Sequence, residues 1–191
     1  MRRMVLALVA VGAGAALIVG VFAVLTAPAI ERARIEALHK ALMGVLPPHA
    51  NDPPKESFVV EGVRFWPARD AHGRLLALAW EVVAPDGYSG PIRLLVGVRP
   101  NGVLTGVRVI EHRETPGLGD GIVRNQTWIA SFVGRSLANA RWEVKKYGGD
   151  FDQFTGATIT PRAVVHAVGK ALAFFAAHRE AIVNAAKRGE R

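Results

Sequence analysis

The chain has 191 residues, half of them hydrophobic, with 24 Lys/Arg against 16 Asp/Glu and a formal net charge of +8. It contains no cysteine, which excludes disulfides, thiolate zinc sites, iron–sulfur clusters and thioether-linked haem. Its six His fall in no H-E-x-x-H or close H-x-H spacing, so a metal site is not expected and any redox chemistry would rest on an organic cofactor.

Met4 to Ala27 carries no charged side chain and is long enough to cross a bilayer. It exceeds the apolar core of a signal peptide, although Ala27-Pro28-Ala29 resembles a cleavage site, so a retained anchor over 1–27 is expected. Arg2 and Arg3 on one side face Arg32, Arg34 and Lys40 on the other, so the positive-inside count does not set the topology. Gly12, Ala16 and Gly20 share one helix face, where a neighbouring membrane helix could approach closely. From Ile30 to Leu42 an apolar stripe predicts a helix ending near Gly44, giving a helical stalk and linker over 28–50.

The remaining residues, 51–191, read as one domain. Strands are predicted at Phe58–Val60, Val63–Trp66, Leu75–Val83, Ile92–Val98 and Val103–Ile110, with Asn101-Gly102 as a hairpin signal. A Gly-rich loop follows from Thr115 to Gly121, then a short helix near Asn125–Val133, a strand at Trp142–Tyr147 and a long amphipathic helix from Pro161 to about Ala186. Strands first and helices flanking predict an α+β fold. Trp66, Trp80, Trp128 and Trp142 are expected as core anchors, His112 as a strand residue and His166 as a packed or solvated side chain rather than a ligand. No Ser/His/Asp grouping has hydrolase spacing, and no catalytic residue is assigned.

The sharpest local feature is Asp152-Gln153-Phe154-Thr155-Gly156-Ala157-Thr158-Ile159-Thr160-Pro161. A Gly-containing turn delivers hydroxyls to a helix start, with Thr160 expected as N-cap and Pro161 as first helical residue. Unpaired N–H groups and the positive helix end would then face Thr158, a site suited to a phosphate or equally to a helix cap without ligand. Charge is uneven: residues 1–120 hold 13 Lys/Arg against 11 Asp/Glu, and residues 121–191 hold 11 against 5. The basic half is a solvated surface or an attraction for an acidic partner, anionic lipid or anionic cofactor; nucleic acid fits poorly, for lack of an aromatic-interleaved basic repeat.

Asp152-x-x-Thr155-Gly156-Ala157-Thr158 matches the D-x-x-[ST]-G-A-[ST] flavinylation motif and resembles the FMN-binding domain family. Gly87-Tyr88-Ser89-Gly90-Pro91-Ile92, Glu114-Thr115-Pro116-Gly117-Leu118-Gly119-Asp120 and Lys145-Lys146-x-Gly148-Gly149 extend the likeness to the G subunits of Rnf (Rsx) electron-transport complexes. The C subunits of sodium-pumping NADH:quinone reductases share the motif but are usually longer. The resemblance implies FMN attached to Thr158 through a phosphoester by a dedicated flavin transferase, with Thr155, Gly156, Ala157, Glu114, Thr115, Gly117 and Leu118 around it. It further implies an electron-transfer role among the other membrane subunits of an ion-translocating ferredoxin:NAD oxidoreductase, as a single-pass bacterial inner-membrane protein with a periplasmic domain. A flavin-free anchored assembly module and a redox-sensing accessory are the other roles the residues leave open.

Overall fold

The computed structural model describes residues 2–188. They form two units, one through His39 and one from Lys40 onward. The first unit is a single helix. Helix α1, Arg2–Met43, continues through Pro28 and contains a stretch long and apolar enough to cross a membrane, with a mean hydropathy of 2.2. Its apolar side chains, Leu17, Ile18 and Phe22 among them, are exposed, the pattern of a helix whose partner is lipid or another helix.

The second unit is built on a five-stranded antiparallel meander in the order β1-β2-β3-β4-β5: Phe58–Val60, Val63–Arg69, Leu75–Ala84, Ile92–Val98 and Leu104–Glu111. The fold is therefore α+β. The helices α2 (Gly121–Arg124), α3 (Gln126–Ala130) and α4 (Ile159–Arg188) follow the strands. Side chains alternate between the sheet faces. Phe65, Leu78, Trp80, Ile92, Leu94, Val96 and Leu104 point to one face and form a continuous core with Val164, Val168, Leu172 and Phe175 of α4. Trp80 stacks on Phe175 at 5.9 Å between ring centroids, fixing α4 across the middle of the sheet. Trp66, Trp80 and Trp128 are buried and Trp142 packs against the core, as expected for anchors.

The opposite face is covered by the end of α1 and the turn after it. Ala41, Leu42, Val45 and Leu46 are buried there. The close approach depends on two paired glycines, Gly97 and Gly106. A Cβ at Gly97 would lie 2.2 Å from the Val45 carbonyl oxygen, and one at Gly106 would lie 2.8 Å from the Val45 Cα. Thr105 Oγ1 donates to that same carbonyl at 2.6 Å, and Arg108 Nη1 donates to the Lys40 carbonyl at 3.1 Å. Gly97→Ala should therefore destabilise the full chain by about 1–3 kcal/mol, because backbone cannot yield as a side chain can. Thermal unfolding in detergent measures it, and an unchanged midpoint would contradict the close packing.

The short helix expected near Asn125–Val133 is present as α3, capped by Asn125, whose side chain accepts from the Trp128 N–H at 3.0 Å. Two other sequence expectations are corrected by the fold. The expected strand at Trp142–Tyr147 is a closed loop. Val144 bridges Phe151 in isolation and Lys145–Tyr147 form one 3-10 turn. The alternating Trp142 and Val144 mimic a strand, but their backbone pairs within the loop: Lys145 N–H donates to Phe151 O at 2.7 Å, and Arg141 clamps Asp150 at 2.8 Å. His112 lies just past β5, where its Nδ1 accepts from the Glu114 N–H at 3.2 Å, and is not a strand residue.

Candidate functional site

The segment Phe151–Thr158 enters α4 between two aromatic anchors. Phe151 is buried against Phe132 and Trp142, at 4.7 and 5.0 Å, and Phe154 meets the Trp128 ring edge-on at 5.2 Å. Trp128 Nε1 donates to the Asp152 carbonyl at 2.7 Å, so the indole fixes the segment by both its ring and its polar tip. The Asp152 carboxylate pairs with Lys145 at 2.7 Å on an exposed surface.

Phe154 to Ala157 then make a tight turn, closed by Ala157 N–H to Phe154 O at 3.1 Å. Gly156 occupies its third position at φ +77°, where an L side chain is strained. Thr158 is the last residue before α4, and its carbonyl accepts the first helical bond, from Arg162 N–H at 3.2 Å. Thr158 is half-buried, and its hydroxyl makes no hydrogen bond among the described residues.

The expectation for Thr160 is corrected. Helix α4 begins at Ile159, so Thr160 is inside the first turn and Pro161 is its third residue, where a missing N–H still costs nothing. Thr160 is 1% exposed and its Oγ1 donates to Glu114 Oε2 at 2.5 Å. Glu114 is itself 4% exposed, and its other oxygen accepts from the Ser89 N–H at 3.0 Å. The positive end of α4 is thus already matched by a carboxylate from the loop after β5. Gly87 and Gly119 make room for it: a Cβ at either would lie within 3.0 Å of the Glu114 carboxylate.

These segments meet at a cleft of about 170 Å³ lined by Tyr88, Glu114, Thr115, Leu118, Gly119 and residues 156–160. Six of the residues expected at a cofactor, Thr158, Gly156, Ala157, Glu114, Thr115 and Leu118, line it together. Thr155, at the exposed corner of the turn, and Gly117, at φ +81° in the opposite loop, do not. Tyr88, Ile159 and Thr160 join the lining without having been expected there. The family-like Gly87–Gly90 turn is the sequence signal that could have found Tyr88. No group of three or more metal-ligating side chains occurs among the described residues.

Residues 87–173 match the model of the FMN-binding domain family. The G subunit of the ion-translocating oxidoreductase complex of Pseudomonas aeruginosa is 48% identical over 168 residues, covering 81% of this chain and 78% of that one. The chain belongs to the family of these G subunits. The Shewanella oneidensis protein of the same description is 52% identical over 116 residues, 59% of this chain and 55% of its own. NqrC of Shewanella oneidensis, a solved structure, is similar at 24% identity with a TM-score of 0.46, over 68% of this chain and 66% of that one.

Beside the cleft of this family member, one turn further along α4, lies an ion-pair cluster. Arg162 grips Glu143 through Nε and Nη2, at 3.0 and 2.9 Å, and lies 4.6 Å from the centre of the Tyr147 ring. His166 Nε2 lies 2.9 Å from Glu143 Oε2, a packed polar contact rather than a ligand position. Burial acts to raise the Glu143 carboxyl, but Arg162, the Val144 N–H and His166 outweigh it and hold it at about 2, against an ordinary 4.5. A lowered carboxyl contributes its stability above the unfolded value and loses it as pH falls through the folded one. Wild type should therefore lose more stability than Glu143→Gln between about pH 5 and pH 2. Equal losses in paired melting curves would contradict the cluster's contribution.

Proposed function

We propose that this protein is an electron-transfer subunit of a membrane-bound ion-translocating ferredoxin:NAD oxidoreductase complex, carrying FMN bound covalently to Thr158. The observation that supports it most is the position of Thr158: half-buried, its hydroxyl unbonded among the described residues, at a helix start and in a cleft with an apolar wall. Attachment by a flavin transferase forms a bond between Thr158 Oγ and the FMN phosphorus, breaks the pyrophosphate of FAD and releases AMP, with loss of the hydroxyl proton. Bound there, FMN would supply the one-electron chemistry, and the protein its position and surroundings.

This chain's own part is to hold and orient. The Gly156 turn exposes Thr158, Phe151 and Phe154 keep that turn in place, and Leu118 and Ile159 offer apolar surface at the cleft. At about 170 Å³ the cleft is smaller than the about 300–1,000 Å³ that encloses a typical ligand. A flavin there keeps part of its surface open, as a carrier exchanging electrons with partner subunits requires. Helix α1 is the membrane anchor in this reading, and the domain is periplasmic, where a lost cofactor could not be readily replaced.

Co-expression of the full chain with a flavin transferase tests the proposal. The purified protein should carry about one FMN per chain that stays attached after acid precipitation and unfolding. Flavin that washes away on unfolding would contradict the covalent link; no flavin at all would contradict the cofactor.

A further inference from the structure

We infer that Glu114 is a fixed negative charge that lowers the reduction potential of the flavin held at Thr158. This role rests on the proposed attachment of FMN. The carboxylate is 4% exposed on the wall of the cleft that also contains Thr158. Both oxygens accept, one from the Ser89 N–H and one from the Thr160 hydroxyl, which is the bonding pattern of a carboxylate. No ion pair joins it among the described residues, so no cation cancels its charge at short range.

Burying an unpaired carboxylate is costly, and a neutral side chain could bridge the same loops. The arrangement carries that cost with dedicated supports. Glycines at 87 and 119 clear the space, an N–H and an O–H fill the two oxygens, and the first turn of a 30-residue helix faces the charge. What these supports preserve is a negative charge in a low-dielectric wall, where its field reaches the cleft with little screening. Adding an electron to a group in that cleft adds like charge, so the carboxylate opposes reduction. Glu114 acts here through its field, and its hydrogen bonds set its position.

Spectroelectrochemical titration of the flavinylated full chain, at one pH and ionic strength, tests this. Glu114→Gln keeps the side-chain shape and a partner for Ser89, so its midpoint potential should move positive of wild type. Glu114→Asp keeps the charge and should stay on the wild-type side. Asp and Asn at this position repeat the comparison one methylene shorter, so the charge is read even if the Gln variant does not accumulate. A purely structural role would move Asp and Asn together. Equal potentials for Gln and wild type, or for Asp and Asn, would overturn the inference alone. Wild-type protein without Thr158-linked flavin would overturn the proposed function, and this inference with it.

Discussion

Thr158→Ala should abolish covalent flavin entirely, seen as loss of ultraviolet fluorescence from the protein band on a denaturing gel, while the chain still accumulates in the membrane. The effect is all-or-none because attachment needs an oxygen at this one position. Neighbouring hydroxyls do not substitute. The Thr160 hydroxyl is buried and donates to Glu114, and Thr155 lies at the exposed corner of the turn, outside the cleft lining. Helix α4 should be little disturbed, since the Thr158 carbonyl, not its side chain, accepts the bond from Arg162. Thr158→Ser should remain fluorescent, because it retains the oxygen. A Thr158→Ala protein that stays flavinylated would end the assignment.

Gly149→Ala should be among the most damaging small substitutions in the domain. A Cβ at this position would lie 1.7 Å from the Glu143 carbonyl oxygen and 2.0 Å from its carbon. Both are backbone, in the loop closed by Arg141 and Asp150 and by the Gly149 N–H to Val144 O bond at 3.1 Å. Relief requires opening the loop, which displaces Glu143 from Arg162 and loosens Phe151 beneath the Thr158 segment. The cost is expected at about 3 kcal/mol or above, and a melting midpoint lowered by roughly 6 °C or more is its readout. Flavin loading should fall with it, since Phe151 positions the attachment segment. A variant melting with wild type would contradict the close contact.

The strands were legible because their signals are local. Alternating apolar residues on β2 to β5 and the Asn101-Gly102 turn need no knowledge of the rest of the chain. The loop 141–151 was not, because Trp142 and Val144 alternate as a strand does while the feature that decides, Gly149 against Glu143, is a contact within the loop. The Asp152–Thr158 motif could be read as residues, and its clustering with Glu114, Thr115 and Leu118 was implied by family likeness. The partner of Thr160 could not be read. A threonine before a proline looks like a cap, and only the approach of a carboxylate from 46 positions away turns its hydroxyl elsewhere.

That partner changes the electrostatic picture. The positive end of α4 is not an open anion site for a phosphate, since Glu114 already faces it. Three cations near Thr158 in sequence, Arg162, Lys145 and Lys146, are engaged with Glu143, Asp152 and the Tyr147 ring, respectively. Thr158 is therefore proposed as a tether, with affinity supplied by the covalent bond rather than by a dedicated phosphate cradle.

The most direct measurement is the mass of the peptide containing residues 152–162 from protein co-expressed with a flavin transferase. A gain of one FMN less one water, located by fragmentation on Thr158, is the expected result. The unmodified mass, or the same gain on Thr155 or Thr160, would contradict it.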